Sequence, residues 1–462
     1  MIKKVRYSGF GLFFIYLVSS WVNHAQAEGY FKPKHPSPYA DTAWSAQHAN
    51  GRNSDSVNFA APVELTPAWD ALQDRSIAQA PTIGPNGLIY VTSGKGVGVS
   101  SLTALRSDGS IAWEAPPYMT PEDLDSSAVG GSAVIDRHGD IYLTDSNQIW
   151  AFHGDGRLKW VEALPAEARA ALSLHFMDDS VVGVTITGKV IAYNRRNGHS
   201  TAPVLSLPVA FPVEEASGMS LPGLWGMDRE VLLDAWRIFF GAGWPVSNTP
   251  AVHPAKPVMY IPAMTEQGAA LFIVAYHRLR RRFEIKQSIY LGSGDVATSP
   301  ALSPRGESIY VALNADTLGA FDEPTGRQRW QADFSSQLLA SPSVGQDGHI
   351  YVGTQDGITA FDADGRRLWR QAFAQWESSV VDSVVTVATN AIYAVVMAGD
   401  NPYLVILDAR DGRLMGEPMA LRASSEAYVV LDRTGMVYIS HLGWRTNRPG
   451  DGGISAFHPV WN

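Results

Sequence analysis

The sequence predicts an all-β protein: an eight-bladed β-propeller of four-stranded antiparallel blades, closed by pairing of its two ends, with one helical insertion. Three observations predict it. A phrase of short β-runs and glycine turns recurs at about 40–50 residues, the spacing of propeller blades. Its anchor residue returns eight times. The chain also begins and ends on complementary fragments of one repeat.

The phrase is clearest at Ile350-Tyr351-Val352-Gly353, followed by Ile358-Thr359-Ala360-Phe361-Asp362, a turn at Ala363-Asp364-Gly365 and a run ending in Trp369. The copy before it reads Ile309-Tyr310-Val311-Ala312, Leu318-Gly319-Ala320-Phe321-Asp322, a turn through Gly326, and Trp330. In blade terms, with strands A to D running from the axis outward, Ile-Tyr-Val is strand B, where β-branched and aromatic residues fit a pleated, half-buried surface. Ala-Phe-Asp is strand C, and the run ending in Trp is strand D. Strand A opens with a small residue and proline at Ala80-Pro81, Thr249-Pro250, Ser299-Pro300 and Ser341-Pro342. Proline at a strand's first position removes no ladder bond. The strand-B position recurs at Tyr90, Tyr142, Val182, Tyr260, Tyr310, Tyr351, Tyr393 and Tyr438, which sets the count at eight.

Closure follows from the ends. The last repeat stops at Ile454-Ser455-Ala456-Phe457, a strand C without its D, and Leu65-Thr66-Pro67-Ala68-Trp69 is a strand D with no blade before it. Joined, they complete one blade and hide two sheet edges. The tryptophans ending the D strands (Trp69, Trp113, Trp160, Trp330, Trp369) read as packing between blades. Asp140, Asp155, Asp347 and Asp364 read as turn residues.

The chain of 462 residues opens with Lys3, Lys4 and Arg6, an apolar run from Phe10 to Val22, and Ala25-Gln26-Ala27. That pattern predicts a signal peptide over residues 1–27 with cleavage between Ala27 and Glu28, and hence a periplasmic or secreted protein. The propeller then occupies 28–462. No cysteine is present, which excludes disulfides and thiol metal sites. The leader removes three basic residues and no acid from a net charge of −9, which leaves the mature chain acidic. Such a balance argues against nucleic acid or anionic lipid as a partner. No later segment is long and apolar enough to span a membrane, and a monomer is expected.

These repeats resemble the pyrroloquinoline-quinone-like (PQQ-like) repeat, with residues 296–334 and 338–374 as the cleanest copies; the stretch from Trp44 through His48 and Asn53 to Trp69 is similar to that family's lead-in segment. The resemblance implies one of two functional branches. One is the quinone- and calcium-dependent dehydrogenases, which hold the quinone over the propeller axis. The other is non-enzymatic binding propellers, including the propeller subunit of the outer-membrane β-barrel assembly machinery. Many of the dehydrogenases stack the quinone on a disulfide, which a chain without cysteine does not have.

Loop length indicates the working face. The A–B and C–D turns are short, as at Gly84-Pro85-Asn86-Gly87, whereas many B–C and D–A loops on the opposite face are long. Long loops on a rigid scaffold carry function. The longest is an insertion at about 208–247 between blades 3 and 4, in which Val231, Leu232, Ala235, Trp236, Phe239 and Phe240 follow helical spacing. With Trp225, Trp236 and Trp244 it reads either as a partner-binding helix or as one that packs on the propeller. The same face carries Lys95, Trp376, Trp444 and Arg445 as candidate cofactor contacts, and Glu122, Asp123, Asp125 and Asp295 as further polar candidates. Asp382 and Glu426 precede strand A of their blades, which places two carboxylates at the channel mouth, where they could bind a hard cation or act as a base. Arg278, Arg280, Arg281 and Arg282, near strands C and D of the fourth blade, read as a solvated edge. No triad, phosphate loop or histidine-rich metal site is found. The reading that follows is a binding scaffold that holds a protein partner or extended ligand on the long-loop face; the alternative is a PQQ- and calcium-dependent dehydrogenase of an alcohol or polyol.

Overall fold

Period-two apolar runs bounded by glycine turns fold here as expected into eight antiparallel sheets arranged as propeller blades. The structure is a computed structural model that describes residues 37–93, 102–115, 131–144, 148–165, 168, 171–210, 245–246, 248–294, 298–373, 379–381, 383–399, 401–422, 428–442 and 452–461. Blade 6 shows the plan: Ser343–Val344, Ile350–Thr354, Gly357–Phe361 and Arg367–Ala372, from the axis outward. Blades 1, 2, 4 and 5 have the same order, with inner strands at Thr82–Ile83, Val134–Ile135, Ala251–Val252 and Ala301–Leu302. Blade 3 opens with a longer inner strand, Ala171–Met177, and its Val182 pairs with Ala192 as Tyr90, Tyr142, Tyr310, Tyr351 and Tyr438 pair with alanines in their blades. Blade 7 splits its inner strand into Ser379–Val381 and Thr386–Val387, both paired to Ala391–Ala398.

Blade 8 is the closure. Val429–Leu431, Val437–Leu442 and Gly452–Val460 come from the C-terminal end, and the outer strand Glu64–Ala71 comes from the N-terminal end. Pairing runs from Glu64 opposite Val460 to Ala71 opposite Ile454, with one irregularity between Pro67 and Trp69. Leader and insertion both fall largely outside the described residues, and the described residues contain no helix.

One contact repeats around the ring. The indole N–H of Trp113, Trp160, Trp330 and Trp369 donates to a carbonyl in the next blade's C–D turn, at Gly154, Arg195, Ala363 and Ala409. Trp69 does the same across the closure, to Ser107. The ring also covers the glycine of that turn. At Gly365 the backbone has φ +82°, and an added Cβ would stand 2.6 Å from Trp330; both the conformation and the close approach require glycine. The expected packing role of these tryptophans is therefore visible atom by atom. The strand-B tyrosines are fully buried between blades. Asp155 and Asp347 accept backbone N–H bonds within their turns, while Asp140 instead joins His153 and Lys159.

Candidate functional site

A propeller ring leaves an open axis, and in this protein one chain segment fills its short-turn end. Residues 38–57 lie inside the ring and bond to its inner strands. Ile83 donates its N–H to Trp44 O (2.6 Å), Ile135 to Ser45 O (3.0 Å), Val252 to Gly51 O (2.5 Å), Leu302 to Arg52 O (3.0 Å), Val344 to Ser54 O (2.9 Å) and Val387 to Asp55 O (2.9 Å). These six donors are the last residues of the inner strands of blades 1, 2, 4, 5, 6 and 7. Blade 3 presents the corresponding donor, the N–H of Phe176, to Tyr39 Oη at 3.2 Å. Inner-strand N–H groups with no further strand to pair with would be buried orphans, and the segment satisfies them. Ala49, Asn53 and Asp55 take left-handed backbone angles, φ 66°, 53° and 47°, which turn the carbonyls outward to successive blades. Asn and Asp tolerate that conformation better than most residues.

Blade 8 joins through side chains. Gln47 donates its amide N–H to Tyr428 Oη at 3.0 Å, and His48 Nε2 lies 3.4 Å from the same oxygen. The other ring nitrogen of His48 lies 2.8 Å from an Asp55 carboxylate oxygen, with the two residues only 2% and 0% exposed. Burial raises the Asp55 carboxyl above its usual range, against the pull of His48. Burial and, secondarily, the Asp55 charge push the Tyr428 phenol well above its normal value. On the opposite side of the axis, His175 Nδ1 lies 3.2 Å from Tyr39 Oη, and burial, helped by the charge of His48, lowers its pKa to about 3. Arg52 donates to Leu302 O at 3.2 Å, and burial lowers it to about 10. Asn53 donates to the carbonyls of Thr249, Pro250 and Pro300.

An Asp–His–Tyr chain resembles acid–base machinery, but its geometry is that of a brace. Each of the three side chains is buried, and each polar end has a partner within the ring. The small hydroxyl residues at the other end of the inner strands are also engaged: Ser299 Oγ accepts from the N–H of Thr249, Ser341 Oγ from the N–H of Ser299, and Ser132 donates to Ala80 O. These bonds tie blade 1 to 2, blade 4 to 5 and blade 5 to 6, while the buried hydroxyls of Thr82 and Ser343, at the first residues of the inner strands of blades 1 and 6, have no hydrogen-bond partner among the described residues.

The sequence-predicted candidates Asp382, Glu426, Lys95, Trp376, Trp444, Arg445, Trp225, Trp236 and Trp244 lie outside the described residues, as do Glu122, Asp123, Asp125 and Asp295. The structure does describe the rim of the long-loop face beside the insertion. A cavity of about 490 Å³ opens there between blades 3 and 4, lined by Pro208 and Val209 where the insertion starts, the turn Thr265–Gln267, Phe272 and Tyr290. Tyr290 is 57% exposed. Sequence reading missed the axial segment. Its signal was a run dense in Ser, Asn, Gly and Asp around Trp44, too polar for a strand and too long for a turn.

The described axial residues do not fit a quinone with calcium. Calcium takes six or more oxygen ligands; the described axis offers one carboxylate, Asp55, already held by His48, and no group of three acidic or histidine side chains suited to a metal occurs among the described residues.

Comparison with known proteins places the fold in a family context. Residues 286–440 match the family described as outer membrane protein assembly factor BamB. The outer membrane protein assembly factor BamB of Bordetella pertussis (strain Tohama I) is 31% identical over 130 residues, which cover 26% of this chain and 31% of that protein. The match thus spans about a third of the relative's length. Among solved structures, BamB from Moraxella catarrhalis superposes with TM-score 0.55 at 16% identity, over 86% of this chain and 100% of that one. A europium-containing methanol dehydrogenase gives 0.59 at 14% identity, over 92% and 98%. The quinohemoprotein alcohol dehydrogenase from Comamonas testosteroni gives 0.60 at 12% identity, over 90% and 80%. At these identities the likeness to solved structures is one of fold.

Proposed function

We propose that this chain, which belongs to the PQQ-like repeat propellers, is a binding scaffold of the cell envelope that holds a protein partner on its long-loop face. The observation that carries this reading is the braced axis: the buried Asp55–His48–Tyr428 chain is spent on tying the ring together, which favours a rigid frame over a reaction chamber. The cavity beside the insertion, with Tyr290 exposed at its edge, supplies a recess of mixed polar and apolar lining on the same face. The relative named as an outer membrane protein assembly factor supports a partner in that assembly process.

The test uses the mature chain. A photo-crosslinking residue at Glu266, on the cavity rim, is expected to capture a discrete envelope protein, and one at Asp364, on the opposite face, is not. The dehydrogenase reading is tested in parallel by calorimetry with PQQ and calcium and by dye reduction on an alcohol panel. Micromolar binding with turnover, lost in Asp382→Ala or Glu426→Ala, would overturn the scaffold reading.

A further inference from the structure

Two C–D ladders run well past the short-turn face: that of blade 8, to Val460 opposite Glu64, four residues beyond Ala456, which faces Tyr438, and that of blade 4, which of the two is the one closed by a hairpin tip. In blades 5 and 6 the C–D ladder ends one residue beyond the position facing the strand-B tyrosine, at Phe321 opposite Gln328 and Phe361 opposite Arg367. In blade 4 strands Gly268–His277 and Arg282–Gly292 continue to His277 opposite Arg282, four residues beyond Ile273, which faces Tyr260. Three extra residues carry this hairpin about 10 Å further out. At its tip stand Arg278, Leu279, Arg280 and Arg281.

The tip is braced rather than loose. Tyr276 and Phe283 behind it are 3% and 7% exposed and pack on each other with ring centres 5.2 Å apart. Arg281 donates to the carbonyls of Ser200 and Thr201 in blade 3, and Arg278 pairs with Asp179 at 3.3 Å. What remains facing outward is Leu279, 99% exposed, beside Arg280, which has no ion-pair partner among the described residues. Arg282 is half exposed and only 4.0 Å from Glu284, and Arg196 is exposed on the neighbouring turn.

We propose that this tip docks the propeller on an anionic lipid surface, with Leu279 entering the interface and Arg280, Arg282 and Arg196 on the headgroups. A lone leucine at the apex of a hairpin is a wedge; a four-residue tip is far too small for a stable protein–protein interface, which needs about 800 Å² per partner. Apolar insertion combined with basic contacts is how a peripheral protein holds a bilayer. The rim agrees: of the eight large apolar side chains exposed among the described residues, Ile111, Leu158, Leu279, Leu368, Leu414 and Trp461 all lie at the short-turn end of their blades. The acids bonded at the tip are themselves neutralised, Asp179 by Arg278 and Glu284 by His277 and Lys286, which leaves the local balance basic although the whole chain is acidic. The inference goes beyond the scaffold reading, since it concerns the opposite face.

The mature chain is floated with vesicles of phosphatidylcholine alone and with 30% phosphatidylglycerol. Binding is expected only to the anionic vesicles and is expected to fall at least tenfold in both Leu279→Ser and Arg280→Glu, with melting temperatures unchanged. Arg413→Glu, an equal charge change at the C–D turn of blade 7, is expected to leave binding intact. Equal losses from Arg413→Glu and Arg280→Glu would overturn the proposal by showing a diffuse charge effect. Loss from Arg280→Glu without loss from Leu279→Ser would overturn it in favour of a polyanion or acidic protein, and absence of flotation would overturn it outright.

Discussion

The ring and the segment inside it are built on opposite principles. Five blades join the next through one repeated contact, such as Trp330 on Gly365 and Trp369 on Gly412. The axial segment 38–57 repeats nothing, yet it touches all eight blades. Damage to a repeated contact is therefore local, as in other repeat proteins whose stability sums over nearest-neighbour interfaces. Damage to the axial segment acts on every blade at once.

Removing residues 38–57 breaks the comparison most sharply. At least six inner-strand N–H groups would lose their acceptors, and each buried unsatisfied donor costs about 1–3 kcal/mol. Loss of cooperative unfolding is expected, read by calorimetry of the truncated chain. His48→Ala is the next largest. It leaves the Asp55 carboxylate buried without its partner, and breaking such a pair costs about 3–5 kcal/mol; urea denaturation would measure it, and a change below 1 kcal/mol would show that the brace carries little load.

The pH dependence of stability sharpens the contrast. His175 has a folded pKa of about 3, below the 6.5 of the unfolded chain. Its contribution is fully present above pH 6.5 and is lost as pH falls toward 3, at up to about 1.4 kcal/mol per unit. His253, lowered to about 4 by burial and Lys256, adds in the same direction. Asp55, raised by burial, opposes them, because the folded state then binds its proton more readily. The slope between pH 6 and 4 should flatten in His175→Gln, which isolates the axial share.

Trp330→Ala tests the repeated contact. A loss of about 2 kcal/mol is expected, with the transition still cooperative. Smallest is Arg157→Ala, which removes an exposed pair with Asp155; such pairs contribute about 0–1 kcal/mol.

The ring was legible in the sequence because its stabilising side chains recur. Tyr351, Trp369 and the glycine between blades each announce a fixed place in a period, and the orphan strand at Leu65–Trp69 betrayed the closure. The axial segment was not legible for the complementary reason: its main links are backbone carbonyls of Trp44, Ser45, Gly51, Arg52, Ser54 and Asp55, and a carbonyl leaves no mark on residue type. His48 and Asp55 do leave one, but a separation of seven is also two turns of a helix, so it does not announce an irregular segment. The basic run at Arg278–Arg282 was visible as composition; its reach beyond the ring was not, since ladder length depends on pairing that the run itself does not encode. The carboxylates expected at the channel mouth, Asp382 and Glu426, fall outside the described residues, as do the tryptophans of the insertion.

The axial segment also orders events in time. A ribosome releases it before any blade, yet Asp55 waits for Val387 and His48 for Tyr428, more than 300 residues later. Contacts of such sequence separation make folding slow. Until blades 7 and 8 exist, the Asp55 carbonyl, the His48 ring and the outer strand Glu64–Ala71 have no final partner. Closure of the ring and completion of the axial bonds therefore wait for the C-terminal strands, however early the first blades form.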